Sequence, residues 1–123
     1  MGRRGRARDR AERVKAPPVT YTGEGEDALV LRGSLTAKAR LDYAGALEGE
    51  EAKPGAARED AYHRAVELLF ERLVVSWTVS GVPTEKPREL LERFRIASPA
   101  ERDWVLARLR DHVAKHFPEL PPP

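Results

Sequence analysis

The 123-residue sequence contains no cysteine, no asparagine and no glutamine, and its one methionine is the first residue. Without cysteine, a disulfide framework and a thiolate metal site are both excluded. A shortage of Asn, Gln, Cys and Met beside abundant Glu and Arg is typical of thermophiles. A GC-rich genome would also favour Arg, Ala, Gly and Pro codons, and we expect both pressures to act together. The composition therefore bears on habitat and not on activity.

Long apolar runs are also missing. The most apolar stretch, LLFERLVVSW, is interrupted by Glu71 and Arg72, so it does not reach the length of a membrane-spanning helix. No apolar segment follows the basic N-terminus, as it would in a signal peptide. We therefore expect a single cytoplasmic domain that is large enough to bury a core without disulfides or metals.

The charge of the chain is concentrated at one end. The formal net charge is +2, but residues 1–17 carry seven basic and two acidic side chains, which leaves −3 for the remainder. We predict a flexible basic arm over residues 1–18. Its arginines can neutralise phosphates, although the arm has no aromatic residue for base stacking. The candidate nucleic-acid contacts are Arg3, Arg4, Arg6, Arg8, Arg10 and Arg13.

The periodicity of apolar residues predicts a mainly α fold of the α+β class. A small N-terminal β-hairpin would be followed by a short helix and a three-helix C-terminal core. Tyr62, Val66, Leu69, Leu73 and Trp77 form one apolar stripe, so a single helix is expected to run through Trp77. The expected elements of a single domain over 19–117 are a hairpin at 19–32 and helices at about 36–48, 58–77, 85–95 and 99–116. A proline-rich extended tail at 118–123 would follow.

Two helix starts carry their own signals. Ser98-Pro99-Ala100-Glu101 has the serine, proline and glutamate of a capping box. Thr36 and Thr84 are predicted to cap the helices that follow them.

Residues that could support catalysis or metal binding do not form a recognisable constellation. His112 and His116 have the spacing of two metal ligands, but the sequence offers no third ligand and no HExxH pattern. Their place in a last helical turn suits the negative end of the helix dipole. Gly23-Glu24-Gly25-Glu26 matches neither phosphate-binding pattern, and no GxSxG elbow is present. We therefore predict a protein that is not an enzyme and has no metal or cofactor.

The aromatic residues at helical spacing are expected to form the core, together with Leu73 and Val74. Trp77 and Trp104 are the exceptions to test, because tryptophan is often only partly buried and is enriched at interfaces. The candidate partner-binding residues are Tyr62, Trp77, Val82 and Trp104.

The stretch LVVSWTVSGVPTE resembles part of the tail assembly chaperones of long-tailed bacteriophages (siphophages). The matching positions are Leu73 to Trp77, Gly81 to Thr84, and Leu90-Leu91, and the layout expected around them is helix, glycine turn, helix. The resemblance implies a non-enzymatic protein that binds the tape measure protein, helps recruit tail tube subunits and acts in the host cytoplasm. It would be absent from the mature virion. The composition would fit a phage of a thermophilic, GC-rich host.

Two other functions compete with this interpretation. One is a small nucleic-acid-binding or regulatory protein that uses the basic arm. The other is a structural protein of the phage head–tail region.

Overall fold

The computed structural model describes residues 16–52 and 56–123, and these contain four strands and four helices. The six arginines of the basic arm, from Arg3 to Arg13, lie outside the described residues. No helix in the described ranges is both long and apolar enough to cross a membrane. In chain order the elements are β1 Val19–Thr22, β2 Ala28–Leu31, α1 Ala37–Ala52, α2 Ala56–Leu73, β3 Val74–Val79, β4 Val82–Thr84, α3 Pro87–Arg95 and α4 Pro99–His116.

The four strands form one antiparallel sheet in the order β1-β2-β3-β4. The predicted N-terminal hairpin is therefore only half of a sheet, and residues 74–84 supply the other half. The expectation of a hairpin followed by a three-helix core is wrong. The fold is α+β, with a four-stranded sheet and helices distributed along the chain.

The predicted helix at 58–77 ends four residues early, at Leu73. From Val74 onward the chain is rich in β-branched residues, which favour strands. The Leu73 carbonyl accepts a hydrogen bond from Arg32 N–H at 2.8 Å, so sheet pairing begins where the helix stops. The apolar spacing through Trp77 fits a helix, and β3 keeps helix-like spacing because its buried residues, Val74 and Trp77, are three apart, with an irregularity in the β2–β3 pairing between them.

Ser80 and Gly81 make the second hairpin. Both have positive φ, 51° and 81°, and Val79 lies opposite Val82, which leaves a two-residue loop. Positive φ at both loop residues is the geometry of a type I′ turn. Thr84 consequently belongs to β4 and caps no helix. The residue before α3 is Lys86, which makes no side-chain capping hydrogen bond.

The other helix starts agree with the sequence. The Thr36 hydroxyl accepts a hydrogen bond from Ala39 N–H at 3.1 Å, and Ser98 and Glu101 form the predicted capping box. Helix α4 has the predicted bounds, and α1 continues beyond the expected end to Ala52.

The core lies between the sheet and the helices. Leu73 and Val74 are 0% and 4% exposed, which confirms their predicted burial. The rings of Phe70 and Phe94 stack with centroids 4.5 Å apart and join α2 to α3. The largest fully buried side chains are Trp77, Tyr43, Phe70, Phe117, Leu29, Leu31, Leu69, Leu73, Leu109, His112, Val105 and Val113.

The proline-rich tail after α4 packs against the body of the protein. Tyr43 of α1 donates a hydrogen bond to the main-chain oxygen of Pro121 at 2.7 Å, and Arg110 of α4 donates one to that of Pro123 at 2.6 Å. Leu120 joins the buried core cluster. The last residues of the chain are thus held by two helices.

Candidate functional site

A cavity of about 510 Å³ opens between the β1–β2 loop, β3 and the start of α4. We call it the tryptophan cleft, because Trp77 and Trp104 both line it. Its full lining is Thr22, Gly23, Glu24, Asp27, Trp77, Val79, Ala100, Glu101, Trp104 and Arg108. Three elements far apart in sequence therefore meet at one concave surface.

Trp77 is only 2% exposed and forms the floor of the cleft. Its ring lies edge-on to Phe70 and Phe94, with centroids 6.1 Å and 6.5 Å away, and the Arg93 guanidinium lies 5.1 Å from its centroid. These contacts hold the indole within the core. Trp77 therefore supports the cleft from inside the core and offers a partner very little area.

Trp104 is the more accessible tryptophan and forms one wall. It is half-buried, and the Arg108 guanidinium lies 5.5 Å from its ring centroid, within cation–π range. On its other side lies Gly23, where an added Cβ would sit 3.0 Å from Trp104 Cζ2. The β1–β2 loop therefore approaches the indole closely because residue 23 has no side chain.

The β1–β2 loop is tied to the second hairpin. Gly23 N–H donates to the Asp27 carbonyl at 2.9 Å, and the Asp27 carboxylate accepts a hydrogen bond from Ser80 N–H at 2.8 Å. Asp27 thus closes the β1–β2 loop through its main-chain carbonyl and holds the β3–β4 turn through its carboxylate. This arrangement fixes the β3–β4 turn beside the β1–β2 loop.

An apolar shelf continues outward from the cleft. Val79 lines the cavity, and Val82 is its partner across the two strands, so both side chains lie on the same face of the sheet. Val82 is 67% exposed. Three of the four candidate partner-binding residues, Trp77, Val82 and Trp104, are therefore brought together here.

The lining of the tryptophan cleft is acidic. Glu24, Asp27 and Glu101 contribute three carboxylates against one guanidinium, that of Arg108. The pKa of Glu101 is lowered, first by the hydrogen bond from Ser98 N–H and then by its contact with Arg93 at 2.5 Å. The cleft therefore presents apolar surface next to negative charge.

Tyr62, the fourth candidate, lies elsewhere. It lines a second cavity of about 480 Å³ between α2, the end of α3 and α4, which we call the helix groove. Arg95 and Glu67 close one side of it through hydrogen bonds of 2.8–3.3 Å. Its lining comprises Tyr62, His63, Val66, Glu67, Phe94, Arg95, Pro99, Arg102, Asp103 and Leu106.

His112 is a structural residue rather than half of a metal site. It is 0% exposed; its Nε2 lies 2.7 Å from the Arg32 carbonyl, and its Nδ1 lies 2.7 Å from the Tyr21 hydroxyl. A carbonyl only accepts, so Nε2 carries the proton and Nδ1 accepts from Tyr21. Burial lowers the pKa of His112, which keeps the ring neutral. Both ring nitrogens are used, which leaves neither for a metal.

Within residues 16–52 and 56–123, no group of three or more His, Cys, Asp or Glu side chains is placed to hold a metal ion. The contacts of His112 with Tyr21 and Arg32 cross 91 and 80 residues of sequence. No local pattern in the sequence could have indicated them.

Comparison with protein-family models, curated proteins and solved structures finds no significant match. The structure does not have the helix–turn–helix layout expected from the resemblance to phage tail assembly chaperones, because the central segment is a β-hairpin. The resemblance therefore rests only on the residue pattern of 73–94.

Proposed function

We propose that this protein is a non-enzymatic tail assembly chaperone that binds the tape measure protein through the tryptophan cleft and helps recruit tail tube subunits. One observation carries the proposal. The stretch 73–85, on which the family resemblance rests, forms the hairpin that supplies the floor and the shelf of the cleft. The segment with the resemblance therefore supplies Trp77, Val79 and Val82 to the cleft and its shelf, and α4 adds Trp104.

The chemistry of the cleft suits a protein segment as ligand. A half-buried tryptophan beside exposed valine gives apolar contact area, and a surrounding charged rim is typical of protein interfaces. The surplus of carboxylates favours a segment that places an apolar side chain over Trp104 and a basic one near Glu24 and Asp27. A site of this small size favours binding that can be reversed, as a chaperone needs.

The binding claim is tested with soluble fragments of the tape measure protein encoded beside this chain, by biolayer interferometry. Trp104→Ala is expected to weaken binding at least tenfold, about 1.4 kcal/mol, because aromatic anchors dominate such interfaces. Tyr62→Ala, a matched aromatic truncation in the helix groove, should leave the affinity near wild type. Absence of binding by the wild-type protein would refute the tape measure protein as the partner. Equal losses of affinity in both variants would refute the tryptophan cleft as the binding site.

The surrounding genes and the virion separate the chaperone from a head–tail structural protein. We expect a very long tape measure gene downstream, a tail tube gene upstream, and no copies of this protein in purified particles. Stoichiometric copies in the particles would favour the structural alternative.

Nucleic-acid binding by the basic arm remains the second candidate, because residues 1–17 carry a charge excess of +5. A mobility-shift assay at low and moderate salt tests it, since phosphate contacts weaken steeply with salt. If the arm binds nucleic acid, deleting residues 1–15 abolishes the shift. A shift that survives the deletion would exclude the arm as its source.

A further inference from the structure

The tail at residues 118–123 occupies a groove between α1 and α4. We call it the tail groove and define it by Arg40, Tyr43 and Arg110. Tyr43 and Arg110 donate hydrogen bonds to the main-chain oxygens of Pro121 and Pro123. Arg40 pairs with the Glu119 carboxylate. Side chains of two helices thus contact three residues of the tail, at every second position.

The last four residues of the tail present one face to the groove. Residues 118–120 form a turn, which the hydrogen bond from Leu120 N–H to the Phe117 carbonyl closes. After this turn Leu120 and Pro123 are buried, whereas Pro121 and Pro122 between them are exposed. A polyproline II helix has three residues per turn, so positions three apart lie on one face. The spacing of Leu120 and Pro123 therefore fits a short extended segment with one face in the groove and the other in solvent.

The hydrogen bonds of the tail groove run in one direction. Tyr43, Arg110 and Arg40 act as donors, and the tail supplies the acceptors, which are the main-chain oxygens of Pro121 and Pro123 and the Glu119 carboxylate. From Leu120 onward the single main-chain N–H of the tail is that of Leu120, which donates to the Phe117 carbonyl at 2.9 Å. A groove that offers donors and needs no N–H from its ligand suits proline, which has none.

Arg110 also contacts α2. Its Nη2 lies 3.4 Å from the hydroxyl of Tyr62, while its Nε donates to the main-chain oxygen of Pro123. The guanidinium therefore lies between the tail and α2.

From these contacts we propose that the tail groove is a recognition site for extended proline-containing segments, with the protein's own tail as an intrachain ligand. A partner segment that carries a leucine and a proline three residues later displaces the tail and takes over its hydrogen bonds. The proposal concerns a site separate from the tryptophan cleft. It holds whether or not the tape measure protein is the partner.

The test uses the full-length protein and a fluorescein-labelled hexapeptide, Pro-Glu-Leu-Pro-Pro-Pro, with binding followed by fluorescence anisotropy. A tethered ligand competes at an effective concentration in the millimolar range, so the wild-type protein should bind the peptide weakly. Leu120→Ser removes the buried anchor of the tail and should raise the apparent affinity at least about tenfold. Circular dichroism confirms that the variant is folded.

Two controls identify the site. Adding Tyr43→Phe to Leu120→Ser removes one donor and should reverse most of the gain in affinity. A Pro-Glu-Leu-Ala-Ala-Ala peptide should bind more weakly, because alanine is not held in the extended conformation. The proposal is overturned if folded Leu120→Ser shows no saturable binding, or if the peptide binds equally well with and without Tyr43→Phe. A wild-type dimer that dissociates on Leu120→Ser would also overturn it, by assigning the groove to the tail of a second copy.

Discussion

Acidification should destabilise this protein through one buried histidine. His112 is fully buried and joins α4 to β1 through the Tyr21 hydroxyl and to the end of β2 through the Arg32 carbonyl. On protonation the Tyr21 hydroxyl can turn to accept from Nδ1–H, so the hydrogen bonds are not the main cost. The cost arises from placing a charge in the core, with His116 and Lys115 adding repulsion.

The sign of the effect follows from the lowered pKa of His112. Above its ordinary pKa of 6.5 the ring is neutral in both the folded and the unfolded chain, so burying it costs no stability through its charge. As the pH falls below 6.5, the unfolded chain takes up a proton first, so the free energy of unfolding decreases. The slope from one such group is at most about 1.4 kcal/mol per pH unit, and it ends once the folded protein is protonated too.

The carboxylates act in a different pH range. Glu101, whose pKa is lowered, contributes stability that is complete above its ordinary value of 4.5 and is lost below it. The interval between pH 4.5 and 6.5 therefore separates the contribution of His112 from that of Glu101.

Urea unfolding at pH 7.5, 6.5, 5.5 and 5.0, followed by tryptophan fluorescence, measures the effect. His112→Gln is the control, because glutamine keeps amide hydrogen-bonding groups and does not titrate. We expect wild type to lose stability relative to this variant between pH 6.5 and 5.0, by at most about 2 kcal/mol for a single titrating group. A difference between the two proteins that stays constant with pH would refute the reasoning. A relative gain for wild type in acid would show that the pKa is raised.

Three further predictions concern stability and are checked by the same urea unfolding at pH 7.5. Gly81→Ala should lower the free energy of unfolding by about 1–2 kcal/mol, because residue 81 has a φ of 81°. Gly45→Ala should raise it by about 0.5–1 kcal/mol, because residue 45 lies in open space on α1. Equal effects of the two would contradict the turn assignment. Ser98→Ala should cost about 1 kcal/mol through loss of the capping box, and no change would refute that cap. Trp77→Ala should cost about 3–5 kcal/mol as a core truncation, and a loss below about 1 kcal/mol would contradict its burial.

Local signals predicted several elements well. The capping box at Ser98 fixes the start of α4, and Thr36 caps α1, because both signals act within one helical turn. The first hairpin also forms at the predicted residues. These features need no information from distant parts of the chain.

The sequence predicts a helix where β3 lies, because the buried residues of this strand keep helical spacing instead of alternating. Leu73 and Trp77 are four apart, as in a helix, and the apolar stripe continued through them. The signal that decides between helix and strand is Ser80-Gly81 between valines, which marks a two-residue turn. Giving more weight to the β-branched run before that turn would have ended the helix at the correct place.

The sites depended on contacts that sequence does not encode locally. Trp77 and Trp104 were selected as separate candidates, and the fold places them in one cleft. Tyr62 was selected with them and lies in the helix groove. The sequence predicts an extended tail at 118–123, whereas residues 118–120 form a turn. The packing of the tail depends on Tyr43 and Arg110, which lie 78 and 13 residues from the prolines that they contact.

The pairing of β2 with β3 sets the order in which this fold can assemble. Each hairpin closes a short loop, but Ala28 faces Thr78 and Leu31 faces Val74, so the central pair closes a loop of roughly 45 residues that contains α1 and α2. Local contacts form quickly and distant ones slowly. We therefore expect the two hairpins and the helices to form before the sheet is joined, with β2–β3 docking as the step that limits the folding rate. Since Trp77 lies on β3, its burial reports that final step in a stopped-flow refolding experiment.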